Sequence, residues 1–147
     1  MTVIPPMEPW TVQQVDPQRM KTMAALLRDP YPIHWDPESV RDDLHRGRTV
    51  NQGPLNLAYI ANMLMAWAGD GSIRRLTARF HGHVVAGDIV TASGSVDEVI
   101  VLEGETRARC SVRLLRGDEV MVSGTAEVAL ERPADPSSLP PFPEESA

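Results

Sequence analysis

Residues 53–68 read GPLNLAYIANMLMAWA. Apolar side chains occur almost all the way round a helix drawn through this stretch, and such a helix is buried on most of its sides. Pro54 suits the first helical turn, where a missing N–H costs nothing, and Gly69 suits the exit. Beyond Gly69 the periodicity becomes strand-like. Four long strands are predicted over 73–85, 88–103, 106–116 and 119–131. In the third, Ala108, Cys110, Val112 and Leu114 alternate with Arg107, Arg109, Ser111 and Arg113, the pattern of a strand with one buried face. AGD at 86–88, GE at 104–105 and GD at 117–118 separate the strands at hairpin spacing. One buried helix followed by four antiparallel strands predicts an α+β domain in which a highly curved antiparallel sheet wraps around the helix. A second copy of the sheet would protect its open edge by pairing edge to edge.

Upstream, residues 1–9 (MTVIPPMEP) are proline-rich and read as an extended lead-in, and WTVQQV at 10–15 as a short strand. Asp16 followed by Pro17 is a helix start. Met20, Met23, Ala24 and Leu27 then recur at three- and four-residue spacing, which gives a core-facing stripe. The helix must stop by Asp29, because Pro30 forces the residue before it out of helical geometry. Asp36 and Pro37 repeat the start signal, Asp36 reading as a cap, and PESVRDDLH at 37–45 is predicted as a second short helix ended by Gly47. The body of the domain spans 10–131. Residues 132–147, rich in proline, serine and glutamate, are expected to be disordered.

The chain has 147 residues, enough for one domain with a useful core, and a net charge of −6 with no basic stripe, which argues against nucleic acid as a partner. Its single cysteine, Cys110, allows no internal disulfide and reads as a small buried strand residue. No secretory leader is apparent, and 54–68, interrupted by Asn56 and Asn62, is too short and too polar to span a bilayer. The expectation is a cytoplasmic protein without a membrane partner.

The stretch DPYPIH at 29–34 places a carboxylate and an imidazole on a loop that two prolines stiffen. DPYPIHWD at 29–36, then NQGPLNLA at 51–58, then RF and VVAGD within 79–88, together resemble the MaoC-like hydratases, the hot-dog-fold (R)-specific enoyl-CoA hydratases and dehydratases. The resemblance covers about residues 10–131. Asp29, Pro32 and His34 match the family motif of aspartate, two positions, proline, one position and histidine. Tyr31 stands where the family usually has asparagine. Gln52 stands before Gly53 where the family usually has histidine.

A neutral histidine can take a proton from water near pH 7, and a carboxylate can orient or assist it. Gly53 opens a helix, where backbone N–H groups are unpaired and the dipole is positive, so a thioester oxygen gaining charge would be stabilised there. The resemblance then implies reversible addition of water across the double bond of a trans-2-enoyl-CoA. Asp29 and His34 would be catalytic and Gly53 would bind the thioester oxygen. Tyr31, Trp35, Asn51 and Gln52 are candidates for the substrate pocket. No metal or redox cofactor is expected, since the thioester already acidifies C2; the partners expected are the acyl-CoA substrate and a second hot-dog chain, in a homodimer, a higher oligomer or a heteromer. The rival reading is a hot-dog thioesterase, disfavoured because 53–69 contains no carboxylate.

Other side chains receive plainer readings. His81 and His83 share a face of the strand predicted over 73–85, and without a third ligand they read as a solvated or dimer-facing pair rather than a metal site. Met63, Met65 and Trp67 read as core or acyl-pocket lining. Arg74, Arg75 and Arg79 read as an exposed strand face in preference to a CoA phosphate site.

Overall fold

A computed structural model describes residues 3–130. The element order is β1 (Trp10–Val12), α1 (Pro17–Leu27), two 3-10 turns (Pro32–His34 and Pro37–Val40), α2 (Gly53–Ala68), and then β2 (Ile73–Phe80), β3 (Val90–Leu102), β4 (Glu105–Arg116) and β5 (Glu119–Ala129). The five strands form one antiparallel sheet in the order β1-β3-β4-β5-β2. The sheet curves around α2, giving the α+β hot-dog architecture expected from residues 53–131. The tail expected to be disordered lies outside the described residues.

The inward side chains of the strands and one face of α2 make the core. Ala108, Cys110, Val112 and Leu114 of β4 are all buried against Leu55, Tyr59, Ile60, Met63 and Leu64 of α2. Alternation along β4 therefore carries the packing as predicted. The helix is less enclosed than its composition suggests: Leu55, Asn56, Tyr59, Ile60, Met63 and Leu64 are buried, whereas Leu57, Ala61 and Met65 are half-buried and Ala66 is exposed. A five-stranded sheet covers one side of the helix in a single chain and leaves the other partly open. The indole of Trp67, read as core or pocket lining, donates to Pro5 O at 2.9 Å and pins the lead-in to the end of α2.

Three local expectations are corrected. AGD at 86–88 is not a hairpin, because β2 pairs with β5 and not with β3. The β3–β4 hairpin turns on Glu103 and Gly104, both at positive φ (54° and 77°), the two-residue geometry that matches strand twist. PESVRDDLH is not a helix. It gives only the 3-10 turn Pro37–Val40, and beyond it the carboxylate of Asp42 accepts the N–H groups of Leu44 and His45 at 2.9 and 2.7 Å, which diverts backbone that a helix would need.

The strand predicted to reach residue 85 ends at Phe80. The chain leaves β5 after His81 and instead meets residues 49–51. Asn51 N donates to Val84 O (2.8 Å), Ala86 N donates to Thr49 O (2.9 Å), and Val50 bridges Val85. His81 and His83 thus lie past the strand on separate partners, His81 on Ser123 Oγ and His83 on His45.

Candidate active site

The loop begins where α1 is forced to close. Arg28 takes a left-handed conformation (φ 52°), and the N–H groups of Arg28 and Asp29 turn back to Ala25 O and Ala24 O at 3.2 and 2.9 Å. The Asp29 carboxylate is aimed by its own chain, since Oδ1 accepts Tyr31 N at 3.2 Å. The turn Pro32–His34 follows, with Trp35 N on Pro32 O (3.0 Å) and Asp36 N on the same oxygen (2.8 Å). The Trp35 indole closes the loop from outside by donating to Pro30 O at 3.0 Å. Asp36 caps the next turn by accepting Glu38 N at 3.0 Å, the capping role read from the sequence.

His34 is held by its far nitrogen. Nδ1 lies 2.7 Å from Val50 O, and a carbonyl can only accept, so Nδ1 carries the proton and the neutral ring presents Nε2 as a lone pair. Val50 N in turn donates to Ile33 O at 2.8 Å, which locks the two segments together. Nε2 faces Asp29 Oδ2 at 3.6 Å, too long for a direct hydrogen bond. The ring is mostly shielded, whereas the carboxylate is 40% exposed. Two acceptors, one nitrogen and one oxygen, therefore face the same solvent-accessible space. A water there can donate one O–H to each and keep its lone pairs free.

The start of α2 supplies the other half. Gly53 is its first residue, followed by Pro54, and its N–H has no partner among the described residues. A Cβ at Gly53 would stand 3.2 and 3.3 Å from ring atoms of Phe80, so glycine keeps open the narrow space beneath that ring. Tyr31 is exposed and sets its ring edge-on to His34, with centroids 6.0 Å apart. Trp35 is exposed beside it.

Asn51 and Gln52, expected near the pocket, are buried. Asn51 Nδ2 donates to Asn56 Oδ1 (2.7 Å) and Tyr59 OH (3.4 Å), and burial pushes the Tyr59 hydroxyl up from its ordinary pKa. Gln52 Nε2 donates to Met20 O at 2.7 Å and ties α2 to α1. An open groove of about 520 Å³ lined by Lys21, Ala24, Trp35 and Asp36 borders the outer side of the loop.

Two supports were not read from the sequence. The Val50 carbonyl that orients His34 is a backbone atom with no side-chain signature, and Phe80 reaches Gly53 only through the sheet order. Arg74, by contrast, lies on the exposed face expected for it, where it forms a forked ion pair with Glu105.

The family profile described as "MaoC like domain" matches residues 6–114. The chain belongs to the MaoC-like domain family. A search of curated proteins finds no match. Among solved structures, the R-hydratase PhaJ1 from Pseudomonas aeruginosa in its unliganded form superposes with a TM-score of 0.74 at 23% identity, over 92% of this chain and 88% of that one. The (R)-hydratase of A. caviae involved in PHA biosynthesis gives 0.73 at 23% identity, over 89% and 100%. A chain of the ChsH1-ChsH2 complex from Mycobacterium tuberculosis gives 0.70 at 20% identity, over 89% and 100%. At these identities the likeness is one of fold, and this MaoC-like chain shares it along nearly its whole described length.

Proposed function

We propose that this MaoC-like protein is a hydro-lyase that adds water reversibly across the double bond of a trans-2-enoyl-CoA to give a 3-hydroxyacyl-CoA. The observation that carries the reading is the His34 tautomer: the Val50 carbonyl fixes the proton on Nδ1 and leaves Nε2 as a base beside the Asp29 carboxylate. A water held by the two acceptors attacks C3 with its oxygen. One of its protons passes to the Asp29–His34 pair, and the C2–C3 electron pair moves into the thioester enolate. The Gly53 N–H, at the positive end of α2, stabilises the enolate oxygen. The pair then returns one proton to C2, so one water is consumed and no net proton is exchanged. The thioester supplies the acidity at C2, and the scheme calls on no metal or redox cofactor.

The (R) configuration is carried over from the family and from the names of the R-hydratases that share the fold. Hydrolysis of the thioester is the weaker reading, because α2 from Gly53 to Ala68 offers no carboxylate. Among the described residues β2 is a sheet edge paired only with β5, and an edge of that kind is suited to a second hot-dog chain, its own copy or a partner subunit. Among the described residues no helix is long and apolar enough to cross a membrane.

The test is hydration of crotonyl-CoA followed by loss of enoyl absorbance. Asp29→Asn and His34→Gln should each lower kcat by about a hundredfold or more, the size of a lost general acid–base contribution. Near-wild-type activity in both variants would remove the assignment. Free thiol released from a saturated acyl-CoA would instead support hydrolysis.

A further inference from the structure

Away from the Asp29–His34 pair, a second chain of titratable side chains joins two loops. Both carboxylate oxygens of Asp42 lie 2.8 Å from His45 Nδ1. His45 Nε2 lies 2.8 Å from His83 Nδ1, and the two rings stack with centroids 5.1 Å apart and planes 28° apart. The proton count follows from the ends. A carboxylate can only accept, so His45 Nδ1 carries a proton and a neutral His45 presents Nε2 as a lone pair. His83 Nδ1 must then donate, which leaves His83 Nε2 as the outer lone pair. One added proton on His83 Nε2 leaves every bond in place. A second, on His45 Nε2, sets two donors face to face between two cationic rings and breaks the chain.

What this chain holds together bears on the site. His45 sits in the run from Arg41 to Arg48, which has no regular structure and passes through Arg46 and Gly47 at positive φ before reaching Val50. His83 opens the stretch that backs residues 49–51 through Val84 O and the Val50–Val85 bridge. The bond between the imidazoles therefore fastens the segment that delivers the Val50 carbonyl to the stretch it lies against. We propose that Asp42, His45 and His83 form a proton-sensitive clasp that positions the Val50 carbonyl, and through it the His34 ring, so that His45 and His83 are positioning residues for the reaction. This rests on the reading given above for Asp29 and His34.

Charged groups border the clasp: Asp43, Arg46 and Arg48 on its own segment, and Arg116 with its carboxylate partners on the His83 side. Asp42 is held below the usual carboxylate range, first by the hydrogen bond from the His45 side chain. Arg116 donates to His83 O at 3.1 Å and is also engaged by Asp88 and Glu119, which raise its pKa. Asp88 further accepts Val85 N (2.9 Å) and faces Arg48 at 3.4 Å.

The experiment compares His45→Ala, His83→Ala, their double variant and the conservative His45→Gln, which can still accept and donate. Three quantities are measured: hydrogen exchange of the Val50 and Asn51 amides corrected for intrinsic pH dependence, kcat and KM for crotonyl-CoA across pH, and Tm. Each alanine variant should speed exchange at both amides about tenfold or more and lower kcat by roughly ten- to a hundredfold with KM little changed. The double variant should be no worse than the worse single. His45→Gln should recover most of kcat, and its pH profile should lose the acid limb that double protonation causes. Unchanged amide exchange in both alanine variants would overturn the clasp, and so would a double-variant loss equal to the product of the singles. Should the wild-type chain hydrate no enoyl thioester, the reaction reading fails, yet exchange at about pH 5 against about pH 7.5 still decides the clasp. Wild type should loosen at the lower pH and His45→Gln should not; equal behaviour of the two would overturn it.

Discussion

Substituting Gly53 by alanine separates the role of its N–H from the stability of α2. Its φ lies outside the left-handed region, so alanine meets no backbone strain there. As the first helical residue it stands to gain a little, since alanine outranks glycine in a helix by up to about 1 kcal/mol. The cost is local. The added methyl would lie 3.2 Å from Phe80 Cζ and 3.3 Å from Cε1, tighter than ordinary contact, and the half-exposed ring can move aside by a few tenths of an ångström. The folding terms therefore nearly cancel, and Tm should stay within a few degrees of wild type. Activity has no such compensation. A thioester oxygen must come within hydrogen-bond distance of the N–H, and one that reaches it through the space beneath the Phe80 ring would meet the methyl there. Losing one such donor raises the barrier by about 3–4 kcal/mol, which is about a hundred- to a thousandfold in kcat/KM. Gly53→Ala is assayed for crotonyl-CoA hydration beside its melting curve, with Phe80→Leu added in the same chain to release the ring. A Gly53→Ala protein that melts normally and keeps kcat/KM within about threefold would refute the assignment of the N–H. Full recovery on adding Phe80→Leu would show that crowding of the ring, and not the blocked N–H, was responsible.

Gly124→Ala should be severe for a different reason: its Cβ would collide with the Thr77 carbonyl across the β2–β5 pair, and the expected loss is about 3 kcal/mol or more, read as a fall in Tm of roughly 10 °C. Burial pushes the Cys110 thiol up to about 11 from 9.0, so native protein should resist thiol reagents; because the folded pKa is the raised one, this contribution to stability is complete below about pH 9 and is lost as pH rises through about 11, a slope that Cys110→Ala should remove from alkaline denaturation curves. Glu105 moves the other way. The hydrogen bonds from Arg74 and then Arg107 hold it at about 2 instead of 4.5, so its contribution is present above about pH 4.5 and disappears as pH falls through about 2, and Glu105→Gln should flatten acid unfolding over that window. Truncating Gln52 to alanine leaves the buried Met20 carbonyl without its side-chain donor and should lower stability by about 1–3 kcal/mol in urea unfolding.

What could be read from the sequence was local. The cap at Asp16, the stop before Pro30 and the alternation along β4 are each set by neighbours within a few positions, and the structure keeps all three; of the stripe read along α1, Met20 is buried and Met23 and Ala24 are half-buried, but Leu27 is exposed at the end of the helix. Asp29 and His34 belong to the same class, because the prolines between them fix the loop from within. Two of the three failures have a non-local cause. Residues 81–85 read as the end of a strand, yet residues 84–86 pair with residues 49–51, about 35 positions away, and no pattern inside the stretch announces that. PESVRDDLH follows a helix start signal at Asp36 and Pro37, but the Asp42 carboxylate takes the N–H groups of Leu44 and His45 that a helix would need. Gln52 looked like a pocket residue because it precedes Gly53; its side chain instead runs inward to Met20.

The break in regular structure at DPYPIH also explains how the site can be both irregular and fixed. A loop that left its backbone groups to solvent would move, and the Nε2–Asp29 separation would move with it. Here the N–H groups of Arg28, Asp29, Tyr31, His34, Trp35 and Asp36 all find acceptors within the loop or on the last turn of α1, and the Trp35 indole takes the Pro30 carbonyl. Prolines at 30 and 32 have no N–H to satisfy and restrict the unfolded chain. The loop is therefore rigid without being a helix or a strand, and it gains an orientation that a helix would forbid: residues five apart on a helix point about 140° away from each other, whereas the turn lets Asp29 and His34 face one space. The Val50 carbonyl then sets which nitrogen of His34 looks into that space. Chain rigidity supplies the distance and one distant backbone atom supplies the tautomer of the neutral ring, so a substitution that disturbs residues 49–51 should alter the proposed base without touching Asp29 or His34.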